Sequence, residues 1–305
     1  MSLLLTLSII LHLTPVRLRP VEVIWLTAGA LIYAPFWEQL SVGQINSLLL
    51  LGIAAYVHGI LNPAYRWIGD WGLALAISIK ITPLVLLAFP FFCKDWRRCL
   101  RTLSGVLGLL VTSMLFFGLE PWRDFLEISP RLFQAYPYLN SQTPANTINW
   151  FARTLALPVD FSWVGSLFTG LVLLTWIGAL FFHVKKSNPV ALLCFGIVSM
   201  TVSSSLIWYH HLVFLLMPIL FLILSAEVQT PAGQAGLLLT LVGALLIQID
   251  RVVEARLGVP PLPSIVGYLA IYLAAGLKVC FPAPASTDQA VPAADSQSAA
   301  LQAAD

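Results

Sequence analysis

Lys80 lies inside a run, Gly72 to Phe92 (GLALAISIKITPLVLLAFPFF), whose other residues suit a lipid environment. An ammonium near the centre of a bilayer costs roughly 2.5–3.5 kcal/mol on insertion scales. Three residues on, Pro83 removes an amide proton and crowds the carbonyl of Ile79, which predicts a kink or break in the helix. Two penalties side by side point to a polar cavity rather than to lipid. The plainer alternative is that Lys80 snorkels to an interface or pairs with a carboxylate inside a bundle. Ionisable residues within spans mark substrate and ion pathways by default, so Lys80 is the first candidate site residue.

Three further polar clusters interrupt the apolar background. Gly43-Gln44-Ile45-Asn46 opens a helix, with two amides that both donate and accept hydrogen bonds. Asn146-Thr147-Ile148-Asn149-Trp150-Phe151-Ala152-Arg153 lies late in a long loop, and Trp208-Tyr209-His210-His211 stands at the mouth of a helix. Imidazoles can bind phosphate or relay a proton near neutral pH. Each cluster has an ordinary explanation by itself. Amides cap helices, Trp-Tyr pairs belong to interfacial belts, and adjacent histidines on a helix point about 100° apart.

The elements that must position these residues are helices in a membrane. The chain has 305 residues, 59% hydrophobic and 10% charged, with a mean hydropathy of +0.87. Soluble domains carry about 25% charge, so the composition is that of an integral membrane protein. A formal net charge of +2 with no basic aromatic tract excludes nucleic acid. Cys93, Cys99, Cys194 and Cys280 have neither metal-ligand spacing nor a disulfide framework. Apolar stretches near Val21–Phe36, Ile45–Leu61, Gly72–Phe92, Thr102–Leu119, Ser162–Phe182, Pro189–Ile207, His210–Ala226, Gly233–Ile249 and Ser264–Phe281 give nine candidate spans. Ser2–Leu13 adds a short apolar piece that reads as a trimmed helix rather than a signal peptide. The expected fold is therefore all-α, a polytopic membrane helical bundle of about nine to ten transmembrane helices over residues 1–282. Residues 283–305, rich in Ala, Pro, Ser, Gln and Asp, read as a disordered cytosolic tail.

The basic loops at Lys94–Arg101 and Lys185-Lys186 are placed in the cytosol. That puts one large loop, about residues 120–161, on the extracytoplasmic side with Trp208–His211. Simple alternation then leaves Gly43–Asn46 on the cytosolic side, unless a neighbouring segment is re-entrant or the motif serves helix packing. Pro121 to Glu127 mixes aromatics and charge as interface-lying helices do. Asp250, Arg251, Glu254 and Arg256 have helical spacings that suit a structural set of ion pairs.

Taken together and in order, the clusters resemble glycosyltransferase family 87, the membrane-embedded GT-C mannosyltransferase-like proteins. The family's Gly-Gln-x-Asn helix start appears as Gly43–Asn46, and its Ile-Lys-x-Thr-Pro helix end as Ile79–Pro83, followed by the basic run Lys94–Arg101. The family's Asn-Gln-Ser…Arg element is matched at Asn146 and Arg153, with Thr147-Ile148 replacing Gln-Ser. Its Ser-Pro-x-Ser-Trp-x-His-His element keeps Ser204, Trp208, His210 and His211, with Ser205 where the family has proline. The likeness covers roughly residues 20 to 225. Family members also carry a preceding portion of several helices, whose first outer loop holds an Asp taken as the catalytic base. That portion is expected to be missing here, through a truncated gene product, a misplaced start or divergence, with a partner chain as one candidate source of those helices.

The resemblance implies a hexosyltransferase of GT-C type, embedded as a multi-pass protein in a bacterial plasma membrane. It would move a hexose, mannose by preference, from a polyprenyl-phosphate donor to a hydroxyl on a lipid-linked or glycan acceptor on the extracytoplasmic side. The resemblance further implies His210 and His211 as catalytic residues, and Lys80, Arg153, Asn146, Gln44, Asn46 and Trp208 as substrate-binding ones. No metal and no cofactor is implied, the polyprenyl-phosphate sugar being a substrate. The competing expectations are a lipid or solute transporter, and a non-catalytic fragment or partner subunit of such an enzyme.

Overall fold

A computed structural model describes residues 1–14, 16, 18–132, 142–157, 161–204, 207–258 and 260–282. The tail 283–305 lies outside the described residues, as do 133–141 and 158–160 of the large loop. Among the described residues every regular element is helical, so the chain is an all-α membrane bundle. In chain order the helices are α1 (Ser2–Leu13), α2 (Pro20–Leu31), α3 (Ala34–Ser41), α4 (Asn46–Leu61), α5 (Arg66–Ile79), α6 (Ala88–Phe92), α7 (Trp96–Phe117) and α8 (Glu120–Leu132). Then follow α9 (Pro144–Thr154), α10 (Ser162–His183), α11 (Pro189–Val202), α12 (Leu216–Leu224), α13 (Pro231–Leu257) and α14 (Leu262–Cys280).

Proline at the first helical position and a side-chain oxygen just before it start several of these helices. Thr143 accepts from the amide of Asn146 at 3.4 Å, Asn188 from Val190 at 2.8 Å and Thr230 from Gly233 at 3.0 Å. α11 is apolar all round, as a central helix must be, and every residue from Val190 to Val202 is buried. α10 and α14 pack on it. The α13–α14 contact is close enough that a Cβ on Gly243 would stand 2.5 Å from the carbonyl oxygen of Gly267, the small-residue contact by which helices associate in lipid.

The hydropathy spans differ from the helices in three places that matter. Val21–Phe36 is broken, because α2 ends and α3 starts at a 48° bend. Gly72–Phe92 is broken at Lys80, which adopts an extended conformation (φ −145°, ψ 122°) after α5 and before a 3₁₀ segment, Thr82–Leu87. His210–Ala226 opens as a second 3₁₀ segment, Tyr209–Leu215, and turns into α12 only at Leu216. Continuous apolar sequence therefore does not everywhere become continuous helix. Among the described residues, four helices could cross a bilayer by length and composition, or five if the bent pair counts as one, and there are five shorter apolar helices.

The two 3₁₀ segments share a sequence pattern as well as a conformation. Ile79 and Ile207, Leu84 and Leu212, Val85 and Val213, Leu87 and Leu215, and Pro90 and Pro218 fall at matching positions. A proline crowds the carbonyl four residues before it, here Leu86 and Phe214, which favours the tighter 3₁₀ winding upstream of each. Both segments pack on α11. Lys80 and Trp208 occupy equivalent positions just ahead of them, in extended backbone outside regular helix.

The basic run Lys94–Arg101 is largely helix. Asp95 caps α7 by accepting from the amide of Arg98 at 3.2 Å, which puts Arg98 and Arg101 on the first turns. Asp70 on α5 holds both guanidinium groups: Arg98 Nε lies 3.2 Å from Oδ1 and Arg101 Nε 2.7 Å from Oδ2. Arg98 also donates to the Gly59 carbonyl at 2.8 Å, so one buried charge cluster fastens α4, α5 and α7.

Candidate functional site

The break after α5 and the mouth of the second 3₁₀ segment open onto one cavity of about 590 Å³. It is lined by Gln44, Asn46, Lys80, Trp208, His210 and His211, together with Glu38 and Arg251. Six of the sequence-derived candidates thus come from three separated stretches of chain to one place.

Local geometry explains how each arrives. Gly43 takes a left-handed turn (φ +68°), which only glycine adopts without strain, and swings the chain from α3 into α4. The buried Gln39 fixes that turn, since its carbonyl accepts from the Gln44 amide and its side-chain oxygen from the Ser47 amide, both at 2.8 Å. Asn46 then reaches across to the carbonyl of His210 at 3.4 Å. This contact corrects the alternating topology that set Gly43–Asn46 and Trp208–His211 on opposite sides of the membrane. The bend between α2 and α3 is the physical reason, because hydropathy alone does not encode it.

The 3₁₀ segment at Tyr209–Leu215 leaves backbone groups that a continuous helix would satisfy; one is taken up by a side chain from elsewhere, and further hydrogen bonds tie the segment and its approach to the neighbouring chain. Tyr33 donates to the Leu212 carbonyl at 3.0 Å, and Tyr209 donates to the Ile247 carbonyl at 2.6 Å. The Gln142 amide donates to the Ile207 carbonyl at 2.6 Å. His211 Nδ1 accepts from the Trp208 amide at 3.2 Å. The Trp208 and His210 rings are parallel within 5°, 6.4 Å between centroids, and His210 meets His211 edge-on at 4.6 Å. An aromatic face and two imidazoles are therefore presented together.

Electrostatically the cavity is cationic. Lys80 makes no ion pair among the described residues, and its ammonium lies over the Phe214 ring, 5.6 Å from the centroid. Arg251, from α13, packs its guanidinium 4.8 Å from the Tyr209 ring centroid and pairs with Glu38 at 2.5 Å and Glu254 at 2.8 Å. Among the described residues the lining carries Lys80 and Arg251 against one carboxylate, Glu38; Arg251 is paired with Glu38 and with Glu254 behind it, so the Lys80 ammonium is the charge without a carboxylate beside it. Such a site attracts an anion with hydroxyl-bearing substituents. No group of three or more His, Cys, Asp or Glu that could hold a metal ion occurs among the described residues.

Asn146 and Arg153 do not line this cavity. Both sit on α9, Asn146 buried and Arg153 exposed in the last turn. The start of α9 (Thr143, Pro144, Ala145) instead lines a second, larger cavity of about 1070 Å³, walled mostly by apolar residues of α10 and α11 and by Ile81 and Thr82. The extended backbone at Lys80 separates the two spaces, because successive side chains of an extended chain point to opposite sides. Glu38 and Arg251 are the site residues that sequence reasoning missed. Arg251 was read as part of a structural pair set, and its i, i+3 bridge to Glu254 is real. Its neighbour Asp250 leaves that set: it is fully buried and accepts from the Ser264 amide at 3.0 Å. No local signal links Glu38 to a residue 213 positions away.

Two curated relatives are named polyprenol-phosphate-mannose-dependent alpha-(1-2)-phosphatidylinositol mannoside mannosyltransferases. That from Mycolicibacterium smegmatis is 29% identical over 209 residues, covering 63% of this chain and 46% of the relative. That from Mycobacterium tuberculosis is 28% identical over 218 residues, covering 68% and 48%. The chain therefore spans about half the length of the curated relatives it matches. No solved structure gives a significant match. Residues 1–208, which carry the Gly43–Asn46 turn, the break at Lys80 and the start of the Trp208 element, match Glycosyltransferase family 87, and the chain belongs to that family.

Proposed function

We propose that the chain is a multi-pass membrane mannosyltransferase that moves mannose from a polyprenyl-phosphate donor to a hydroxyl of a lipid-linked acceptor. The reaction would face the extracytoplasmic side of a bacterial plasma membrane and use no metal or cofactor. The observation that carries this reading is the convergence of Lys80, His210, His211, Gln44, Asn46 and Trp208 on one cavity. The names of the two relatives support the donor and the acceptor class.

The reaction sets three demands that the cavity can meet. As the acceptor oxygen bonds to the anomeric carbon, its proton must go to a base, for which His210 is the candidate. His211, whose Nδ1 accepts from the Trp208 amide, presents its other nitrogen as a donor to the substrate. As the bond from that carbon to the phosphate oxygen breaks, polyprenyl phosphate leaves with the electron pair, and the Lys80 ammonium stabilises the charge it gathers. Gln44 and Asn46 can hydrogen-bond sugar hydroxyls, and the Trp208 ring offers an apolar face for the sugar. Asn146 and Arg153 lie outside this cavity, and no step is assigned to them.

The test is transfer from radiolabelled polyprenyl-phosphate mannose to lipid acceptors by the purified chain in proteoliposomes. Glycosylated lipid is expected, with a loss of about 100-fold or more on His210→Ala or His211→Ala and unchanged membrane insertion. Donor flux without a glycosylated product would overturn the reading in favour of a transporter, which broken helices around a polar site would also suit.

A further inference from the structure

Arg251 and Glu38 face the same cavity as Lys80 but belong to none of the motifs that define the site, and Arg251 lies beyond the family-matched residues 1–208. Three observations set this pair apart from a structural bridge. First, it joins α3 to α13 at the cavity wall, with the Arg251 and Glu38 side chains 32% and 28% exposed. Both can therefore be reached from the cavity. Second, the guanidinium is held in place without Glu38: Nη1 bonds Glu254 at 2.8 Å and the plane rests on the Tyr209 ring, itself tied to the Ile247 carbonyl. Third, Arg251 Nε is buried with no hydrogen-bond partner, so the bridge leaves the fork incompletely satisfied and only its Nη groups are placed to meet a ligand. A guanidinium fixed by stacking, with one edge committed to a stationary carboxylate and another to a cavity-facing one, is preorganised for a second anion.

We infer that Arg251 is a phosphate-binding residue of this cavity, and that Glu38 is an internal carboxylate which phosphate displaces from it. The inference rests on the proposed function for the identity of the phosphate ester, the polyprenyl-phosphate headgroup. Lys80 and Arg251 then grip the phosphate between them. The released Glu38 carboxylate faces the cavity and can accept hydrogen bonds from the sugar hydroxyls that arrive with it. In the empty site Glu38 screens Arg251 and lowers the apparent affinity for phosphate, as any competing intramolecular state does.

Binding in nanodiscs decides this without any turnover. The probes are polyprenyl phosphate, the neutral polyprenol and inorganic phosphate, measured on wild type, Glu38→Gln, Arg251→Gln and the double variant. Removing the competitor in Glu38→Gln should tighten polyprenyl-phosphate binding by about threefold to fivefold, the worth of a partly exposed ion pair. Arg251→Gln should weaken it by about tenfold or more, the worth of a charge-assisted bond, and the double variant should stay as weak as Arg251→Gln. The neutral polyprenol should be indifferent to all three substitutions. Inorganic phosphate should follow the same order as the lipid if the headgroup chemistry alone is recognised, and should fail to bind any variant if the lipid tail is required.

A purely structural bridge gives a different pattern. Glu38→Gln then fails to tighten binding, and the double variant recovers the affinity that Arg251→Gln lost by leaving Glu38 unpaired. Either result overturns the inference. Failure of sugar transfer with this binding pattern intact would instead count against the proposed function alone.

Discussion

Lys80→Met is expected to cut the proposed sugar transfer by about 100-fold to 1000-fold in turnover and to leave the protein as stable as the wild type. The turnover loss is that of deleting one preorganised charge aimed at a leaving group in a site of low dielectric. The stability half follows from the surroundings of the ammonium. Lys80 has no carboxylate partner among the described residues and rests over an aromatic ring, so no buried charge is abandoned when it goes. An unpaired ammonium at membrane depth is itself unfavourable, and methionine fills the same volume with apolar surface. Turnover and thermal midpoint, measured side by side on one preparation, check both halves. A lysine that only snorkels to the interface would give normal transfer.

Asp70→Asn has the opposite profile. It destabilises the bundle by about 3–5 kcal/mol, the cost of removing one partner from a buried ion pair. Arg98 is 3% exposed and, among the described residues, has Asp70 and the partly exposed Asp95 as counter-charges. With the carboxylate gone, two guanidinium groups face each other across the junction of α4, α5 and α7. Adding Arg98→Met restores part of the loss, because the pair is coupled. Unfolding of the reconstituted variants by denaturant measures the three values. Equal stability of Asp70→Asn and wild type would show that water reaches this cluster.

These two residues also mark what was legible in the sequence. Lys80 announced itself, because an ammonium and a proline three residues apart stand out against apolar neighbours, and the helix does break there. Asp70 gave no such signal. It sits at the edge of an apolar run, and its partners Arg98 and Arg101 looked like an ordinary basic loop until Asp95 capped α7 and turned them inward. The same distinction runs through the site. The side chains of Gln44, Asn46, His210 and His211 were visible as types, since amides and imidazoles are rare in this composition. That they meet depends on the bend between α2 and α3 and on the left-handed Gly43, which are backbone events that a hydropathy window averages away. Arg251 and Glu38 meet only because α13 runs on to Leu257 and past the cavity wall, where the apolar stretch alone would have stopped it near Ile249.

The two cavities separated by Lys80 frame the decisive measurement. A polyprenyl phosphate carrying a photoactivatable group beside its phosphate, crosslinked to the full chain in nanodiscs and mapped by mass spectrometry, reports where the headgroup rests. Labelling of the segments around Gln44–Asn46, Lys80 and Trp208–His211, competed away by unlabelled polyprenyl phosphate, is the predicted result. Labelling confined to α9 and α10, along the wall of the larger apolar cavity, would contradict it.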